Sequence, residues 1–265
     1  MTAGPPLRLA ARSRSLPLLF VALIFAAGLS ACATPGRTTM DDPWSGMNRG
    51  IYKFNDGIDR AVLKPVAKGY KKITPNWFRN ATGRFFANLG YPVTIVNQLL
   101  QGKPKLFLMD TGRFITNTTL GLAGLFDVAD RMHMPSHQED FGQTLAVWGV
   151  PSGPYLMLPF LGPSTVRDAP GKIPDYFLGI LRYTDVSTPV VWGTRAVEVV
   201  DTRASLLSTE SALDTAFDRY GVLRDVWLQR RQYLIYDGNP PEEEPPELPD
   251  DTDTQDQGNA KTPAP

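Results

Sequence analysis

The stretch "KPKLFLMDTGRFITNTTLG", residues 103–121, decides how the rest of the chain is read. Wound as a helix at about 100° per residue, it brings Asp110, Arg113 and Asn117 within about 60° of one another, with Phe107, Leu108, Phe114 and Ile115 filling the remaining circumference. That is a narrow polar stripe on a mostly apolar helix. A helix lying on a water-soluble surface gives its wider face to polar residues, so these proportions are inverted. One explanation is a surface helix with an exposed Asp110/Arg113 pair three residues apart, which contributes little. The other is a helix buried on most sides by protein or lipid, its stripe turned toward a partner or a wet cavity.

The neighbouring sequence favours the second. No charged residue occurs from Phe85 to Gly102, from Phe114 to Phe126, or from Phe141 to Val166. The last of these runs is long enough to cross a bilayer but contains "GVPSGPYLMLPFLGPSTVRD", residues 149–168, broken by Pro151, Pro154, Pro159 and Pro163. Such a backbone is expected to complete neither a helix nor a sheet ladder, and it is not a transmembrane helix. Irregular backbone at membrane depth is tolerated only inside protein or along a wet cavity. Pro154, Pro159, Gly162 and Pro163 are therefore expected to fix its path, and Arg167 and Asp168 to mark its return to a polar setting.

Elsewhere the patterns are helical. "YPVTIVNQLLQGKP", residues 91–104, predicts a helix of about ten residues with Pro92 in its first turn and Gly102 and Pro104 past its end. Its length of roughly 15 Å is about half a bilayer core. "STPVVWGTRAVEVVDTRASLL" (187–207) predicts another helix, and "STESALDTAFDRYGVLRDVWLQRRQYLIYDG" (208–238) a pair parted near Gly221. Trp227 and Tyr236 lie on the apolar side of the last helix, where they serve core packing or an interfacial position. No stretch alternates with period two, which makes the body all-α.

The chain ends are equally legible. Arg8, Arg12 and Arg14 precede an apolar run from Leu16 to Leu29, which reads as a secretory signal over residues 1–31. Cys32, the single cysteine, has no disulfide partner in the chain, and "LSAC" resembles a bacterial lipobox. Acylation of Cys32 would give a permanent anchor followed by a linker to residue 40. Residues 239–265 are acidic and proline-rich and are expected to be disordered, leaving 41–238 as one helical domain. Residues 1–32 carry +3 and residues 240–265 carry −7, so the neutral total hides a body of +4. That mild excess suits anionic headgroups and is too diffuse for nucleic acid.

No catalytic constellation is present. "GPSTV" at Gly162 lacks the closing glycine of a hydrolase elbow, and no phosphate-binding or dinucleotide fingerprint occurs. His133 and His137, in "RMHMPSHQED", have metal-ligand spacing, but Pro135 between them makes that spacing unreliable. A polar loop leading into a helix start is the better account, with Glu139 and Asp140 serving the helix dipole. Neither a cofactor nor a metal is expected.

Four ordered segments, "DPWSGMNRGIYKFNDGID" (42–59), "GRFITNTTLGLAGLFDVA" (112–129), "EDFGQTLAVWGVPSGPYLMLPFLGPSTVRD" (139–168) and "RYGVLRDVWLQRRQY" (219–233), resemble the MlaA/VacJ family of outer-membrane lipoproteins. The resemblance implies a ring of mostly short amphipathic helices, embedded from the periplasmic side around an amphipathic channel. It implies removal of mislocalised phospholipid from the outer leaflet, transfer to a periplasmic lipid-carrier protein, and association with a trimeric porin. Phe54 and Asn55 match a family segment linked to gating, although Asp56-Gly57 departs from some relatives. Asp110, Arg113 and Asn117 become candidates for lining the channel or tying the ring together. The competing expectations are a structural or adhesive lipoprotein without transport activity and a lipid hydrolase.

Overall fold

A computed structural model describes residues 42–241. The expected signal peptide, Cys32 and the acidic tail from residue 242 lie outside those residues. Helix α1 (Ser45–Ile58) runs through a π turn (Asp59–Leu63) into α2 (Lys64–Ile73). Pro75 ends this run: Thr74 before it is extended, and helix α3 (Asn76–Leu100) begins directly after. Helix α4 (Pro104–Thr119) is followed by the short α5 (Val128–Arg131) and α6 (Phe141–Val147). Strands β1 (Tyr155–Leu158) and β2 (Gly162–Thr165) form an antiparallel hairpin. Then come α7 (Asp168–Leu178), a 3-10 turn (Ile180–Tyr183), α8 (Thr188–Leu206), α9 (Glu210–Asp214) and α10 (Arg219–Ile235).

The packing closes on itself. Helix α2 packs on α8, α8 on α3, α3 on α7, α7 on β2, β2 on β1, and β1 on α1, which leads back into α2. Helix α4 lies on α3, while α6 sits against α3, α7 and α10. The ring of helices is thus completed by the hairpin. Tyr155 and Met157 of β1 form an apolar cluster with Tyr220, against which Ile51, Tyr52, Leu223 and Trp227 pack. The rings of Tyr52 and Tyr155 meet Tyr220 edge-on at 5.8 and 6.2 Å. Trp227 is therefore a packing residue, while Tyr236 is exposed.

Three expectations are corrected. The helix around Pro92 is not ten residues long but the 25-residue α3, with Pro92 inside it. Local breaker chemistry yields there to packing against α4, α6, α7 and α8. Its end is as expected: Gly102 has φ +70° and Lys103 N–H bonds back to Gln98 O at 2.9 Å, a glycine-terminated helix cap. The last helical pair parts at Thr215–Asp218, not at Gly221, which lies in the first turn of α10. The segment 149–168, expected to complete neither a helix nor a sheet ladder, forms a short two-stranded hairpin within a body that is otherwise helical, as expected.

The hairpin forms because its prolines fall where no N–H is needed. Val166 N–H donates to Pro154 O at 3.1 Å, and this sets the alternation of the ladder. Pro163, opposite Met157, then occupies a position that makes no cross-strand bond. Pro151 and Pro159 lie outside both strands. No helix among the described residues is long and apolar enough to cross a membrane.

Burial is inverted relative to a water-soluble helical protein. Among the described residues sixteen polar or charged residues are buried against seven apolar ones. On α4, Asp110, Arg113 and Asn117 are buried while Leu108 and Ile115 are 67% and 54% exposed.

Candidate functional site

The candidate site is the cavity bounded by α3, α7 and α8, members of the helical circuit, together with the hairpin that borders it. Its volume is about 620 Å³. Helix α3 supplies Phe86, Leu89 and Val93, α7 supplies Ile173 and Tyr176, and the hairpin turn supplies Leu161. Lys172, Asp175, Arg195 and Glu198 add charge to this apolar bed.

Asparagines of α1 hold the hairpin. Asn48 donates to Tyr155 O at 3.0 Å and accepts from Met157 N–H at 2.8 Å. Asn55 donates to Leu158 O and accepts from Phe160 N–H, both at 2.9 Å. At the tip the Phe54 ring meets the Phe160 ring edge-on at 5.3 Å. Phe160 has φ +61°, a left-handed conformation that costs a non-glycine residue about 1–2 kcal/mol. Gly162, φ +76°, takes the same region without that cost. A latched and locally strained turn therefore abuts the cavity through Leu161.

The far side of the hairpin is closed by charge. Arg231 of α10 bonds Asp168 at 2.8 Å and Asp140 at 2.5 and 2.7 Å, and Arg167 bonds Asp168 at 2.8 Å. Burial pushes the Asp140 carboxyl upward, but the bonds and charge of Arg231, with Gln143 N–H, outweigh it and hold it below its ordinary value. Helices α6 and α7 cross so closely that a Cβ at Gly171 would lie 2.8 Å from Gly142 N. Asp175 joins the same helices, accepting from Phe141 N–H at 3.0 Å and Asn97 Nδ2 at 3.1 Å.

A second, polar cavity of about 260 Å³ lies between α3, α4 and the segment before α6, lined by Asn88, Tyr91, Arg113, Asn117, Asp127 and His137. Arg113 bonds Asp127 and Met134 O, and Asn117 donates to Asp127 at 3.0 Å and accepts from Ala129 N–H at 2.9 Å. Asp110 accepts from Gln98 and contacts His137 Nδ1 at 2.9 Å. Asp127 also caps α5.

Comparison with known proteins fits this architecture. The family model described as MlaA lipoprotein matches residues 40–234. The chain belongs to the MlaA lipoprotein family. The intermembrane phospholipid transport system lipoprotein MlaA of Escherichia coli K12 is 34% identical over 224 residues, covering 82% of this chain and 88% of that protein. Its counterpart in Haemophilus influenzae is 32% identical over 240 residues, covering 88% and 96%. A solved structure, "Structural basis for maintenance of bacterial outer membrane lipid asymmetry", superposes with a TM-score of 0.65 at 34% identity, covering 74% of this chain and 99% of that one.

Within this MlaA family member the anticipated residues fall into separate groups. Phe54 and Asn55 meet the turn that carries Pro159 and Gly162. Asp110, Arg113 and Asn117 lie together on α4, facing α3 and the 122–138 segment; Arg113 and Asn117 border the polar cavity, Asp110 is held by Gln98 and His137, and none of the three lines the cavity beside the hairpin. Arg167 and Asp168 lie in a polar setting that is internal: both are buried in the Arg231 network. His133 is exposed, while His137 is engaged with Asp110. Asn48, Gly142, Gly171, Asp175 and Arg231 carry structural weight that sequence reasoning missed. For Asn48 a signal existed, since it stands seven residues before Asn55 on the same helical face.

Proposed function

We propose that this protein withdraws phospholipid from the outer leaflet of the outer membrane and passes it through its central cavity to a soluble periplasmic carrier. The family's role in intermembrane phospholipid transport supports this, and the inverted burial is the observation that carries it. Hydrocarbon stabilises apolar groups turned outward and penalises polar groups that are not satisfied inside. A cavity with an apolar bed and charged residues at its margin suits an amphipathic ligand. The lipid moves intact: no bond is made or broken, and no nucleophile is required.

The remaining parts take roles in the same scheme. Acyl chains on Cys32 anchor the protein in the outer membrane, and the exposed apolar faces of the helices sit in the inner leaflet against a trimeric porin. Phe54 and Asn55 hold the Pro159–Gly162 turn as a gate beside the cavity. Asp110, Arg113 and Asn117 tie α4 to α3 and to the loop that follows it. A strain lacking the gene, assayed for surface-exposed phospholipid and for lyso-lipid, tests the proposal. Phospholipid accumulates at the surface with lyso-lipid unchanged if the protein transports; no change in either would leave a structural lipoprotein.

A further inference from the structure

One margin of the cavity carries cations without matching acids. Lys172 lies one helical turn before Tyr176 on α7, and both border the large cavity. Arg182, in the 3-10 turn, sits with its guanidinium 5.3 Å from the Tyr176 ring centre and 4.6 Å from that of Phe177. A further, smaller cavity of about 230 Å³ is lined by Arg182 and shares Tyr176, Leu181 and Arg195 with the first, so the two adjoin across these side chains.

The two acids that line the first cavity are already engaged. Asp175 accepts from Phe141 N–H and Asn97, and Glu198 pairs with Arg195 at 2.7 Å. Among the described residues no acid pairs with Lys172 or Arg182, and both are exposed. Two uncompensated cations, one stacked on aromatic rings, thus stand beside an apolar bed formed by Phe86, Leu89, Val93 and Ile173. Stacking fixes the plane of a guanidinium and leaves its edge free to bond oxyanions.

Building on the transport proposal, we infer that Lys172 and Arg182 form a subsite for the phosphate of a glycerophospholipid whose acyl chains lie on that bed. The subsite selects anionic headgroups over zwitterionic ones. A phosphate followed by a neutral glycerol meets only attraction from the two cations. A phosphate followed by an ammonium group brings a third positive charge to the same margin, and repulsion offsets part of the gain.

The test uses the full-length lipoprotein purified in mild detergent from cells containing both phosphatidylglycerol and phosphatidylethanolamine, with bound lipid extracted and quantified. Lys172→Gln, Arg182→Gln and the double variant are compared with Lys68→Gln, an exposed cation of α2 outside both cavities. Because Lys172 pairs with no acid among the described residues, its variant isolates charge from folding. The ratio of anionic to zwitterionic lipid is expected to fall about fivefold for each cation removed, with total lipid per protein unchanged. A ratio that does not move, or that moves equally in Lys68→Gln, overturns the subsite. If the wild type binds phospholipid and its deletion exposes phospholipid at the surface, that failure belongs to the subsite alone. If neither occurs, the transport proposal fails with it.

Discussion

Asn48 and Asn55 are spaced so that one face of α1 serves as a third strand for the hairpin. Seven residues of helix rise about 10.5 Å. The segments they grip, centred on Leu156 and Pro159, are three residues apart along an extended chain, about 10 Å. Asn48 therefore reaches the carbonyl and N–H that Tyr155 and Met157 turn away from β2, while Asn55 grips the Leu158 carbonyl at the strand end and the Phe160 N–H in the turn.

The two asparagines should differ in what they control. Asn48 is fully buried, and Asn48→Ala leaves the Met157 N–H and the Tyr155 carbonyl without their partner, a loss of about 2–4 kcal/mol. Denaturant titration of the detergent-solubilised protein, followed by circular dichroism, measures it. Asn55 is only half-buried and holds the tip. Asn55→Ala should cost about 1 kcal/mol but accelerate hydrogen exchange at Phe160 while leaving Met157 protected.

The Arg231 network makes a steeper prediction. Arg231→Met leaves Asp140 without a cation and Asp168 with Arg167 alone, and breaking the buried Arg231–Asp168 pair costs about 3–5 kcal/mol. Adding Asp140→Asn removes the carboxylate left without a cation, while Asp168 keeps Arg167, and should restore part of the loss. If the single and the double variant share one denaturation midpoint, the network is not an electrostatic clamp.

Glycines at the α6–α7 crossing separate close approach from mere helix content. Gly142→Ala would place its Cβ 2.6 Å from Asp168 Oδ1, and Gly171→Ala 2.8 Å from Gly142 N. Overpacking of this kind costs about 1–3 kcal/mol, more where the obstacle is backbone. A Cβ added at Gly112, within α4, would meet nothing within 4 Å, so Gly112→Ala should stabilise by about 0.5–1 kcal/mol. Melting temperatures of the three variants order these effects directly.

How much of this was legible in the sequence depends on how local each signal is. The stripe of Asp110, Arg113 and Asn117 could be read because helical geometry places it without reference to the rest of the chain, and its inverted proportions announced polar groups turned inward. The end of α3 at Gly102 was legible for the same reason. Pro92 misled because local breaker chemistry was outweighed by contacts from several other elements. The hairpin was hidden because a ladder four residues long shows no alternation, and because the tolerance for Pro163 depends on the register of its partner strand. Arg231 lies 63 residues from Asp168 and 91 from Asp140, and no periodicity encodes such a meeting.

Neighbouring carboxyls at the start of α6 should impose opposite pH slopes. Asp140 is held below its ordinary 3.8, since the bonds and charge of Arg231 outweigh its burial. The unfolded chain then takes up the proton more readily than the folded one, so this contribution is fully present above about pH 4 and fades as pH falls through the folded value. Asp140→Asn should therefore lower the melting temperature at pH 7 and converge on wild type in acid. Glu139 is raised above its ordinary 4.5, chiefly by burial and against the pull of Gln101 and Lys103. There the folded state holds the proton longer, so stability declines as pH rises from about 4.5 through the folded value. Glu139→Gln should flatten that decline. Melting curves of wild type and both variants from pH 3 to pH 7 test the pair together, because a shared slope in both variants would mean that the two carboxyls do not act in opposite directions.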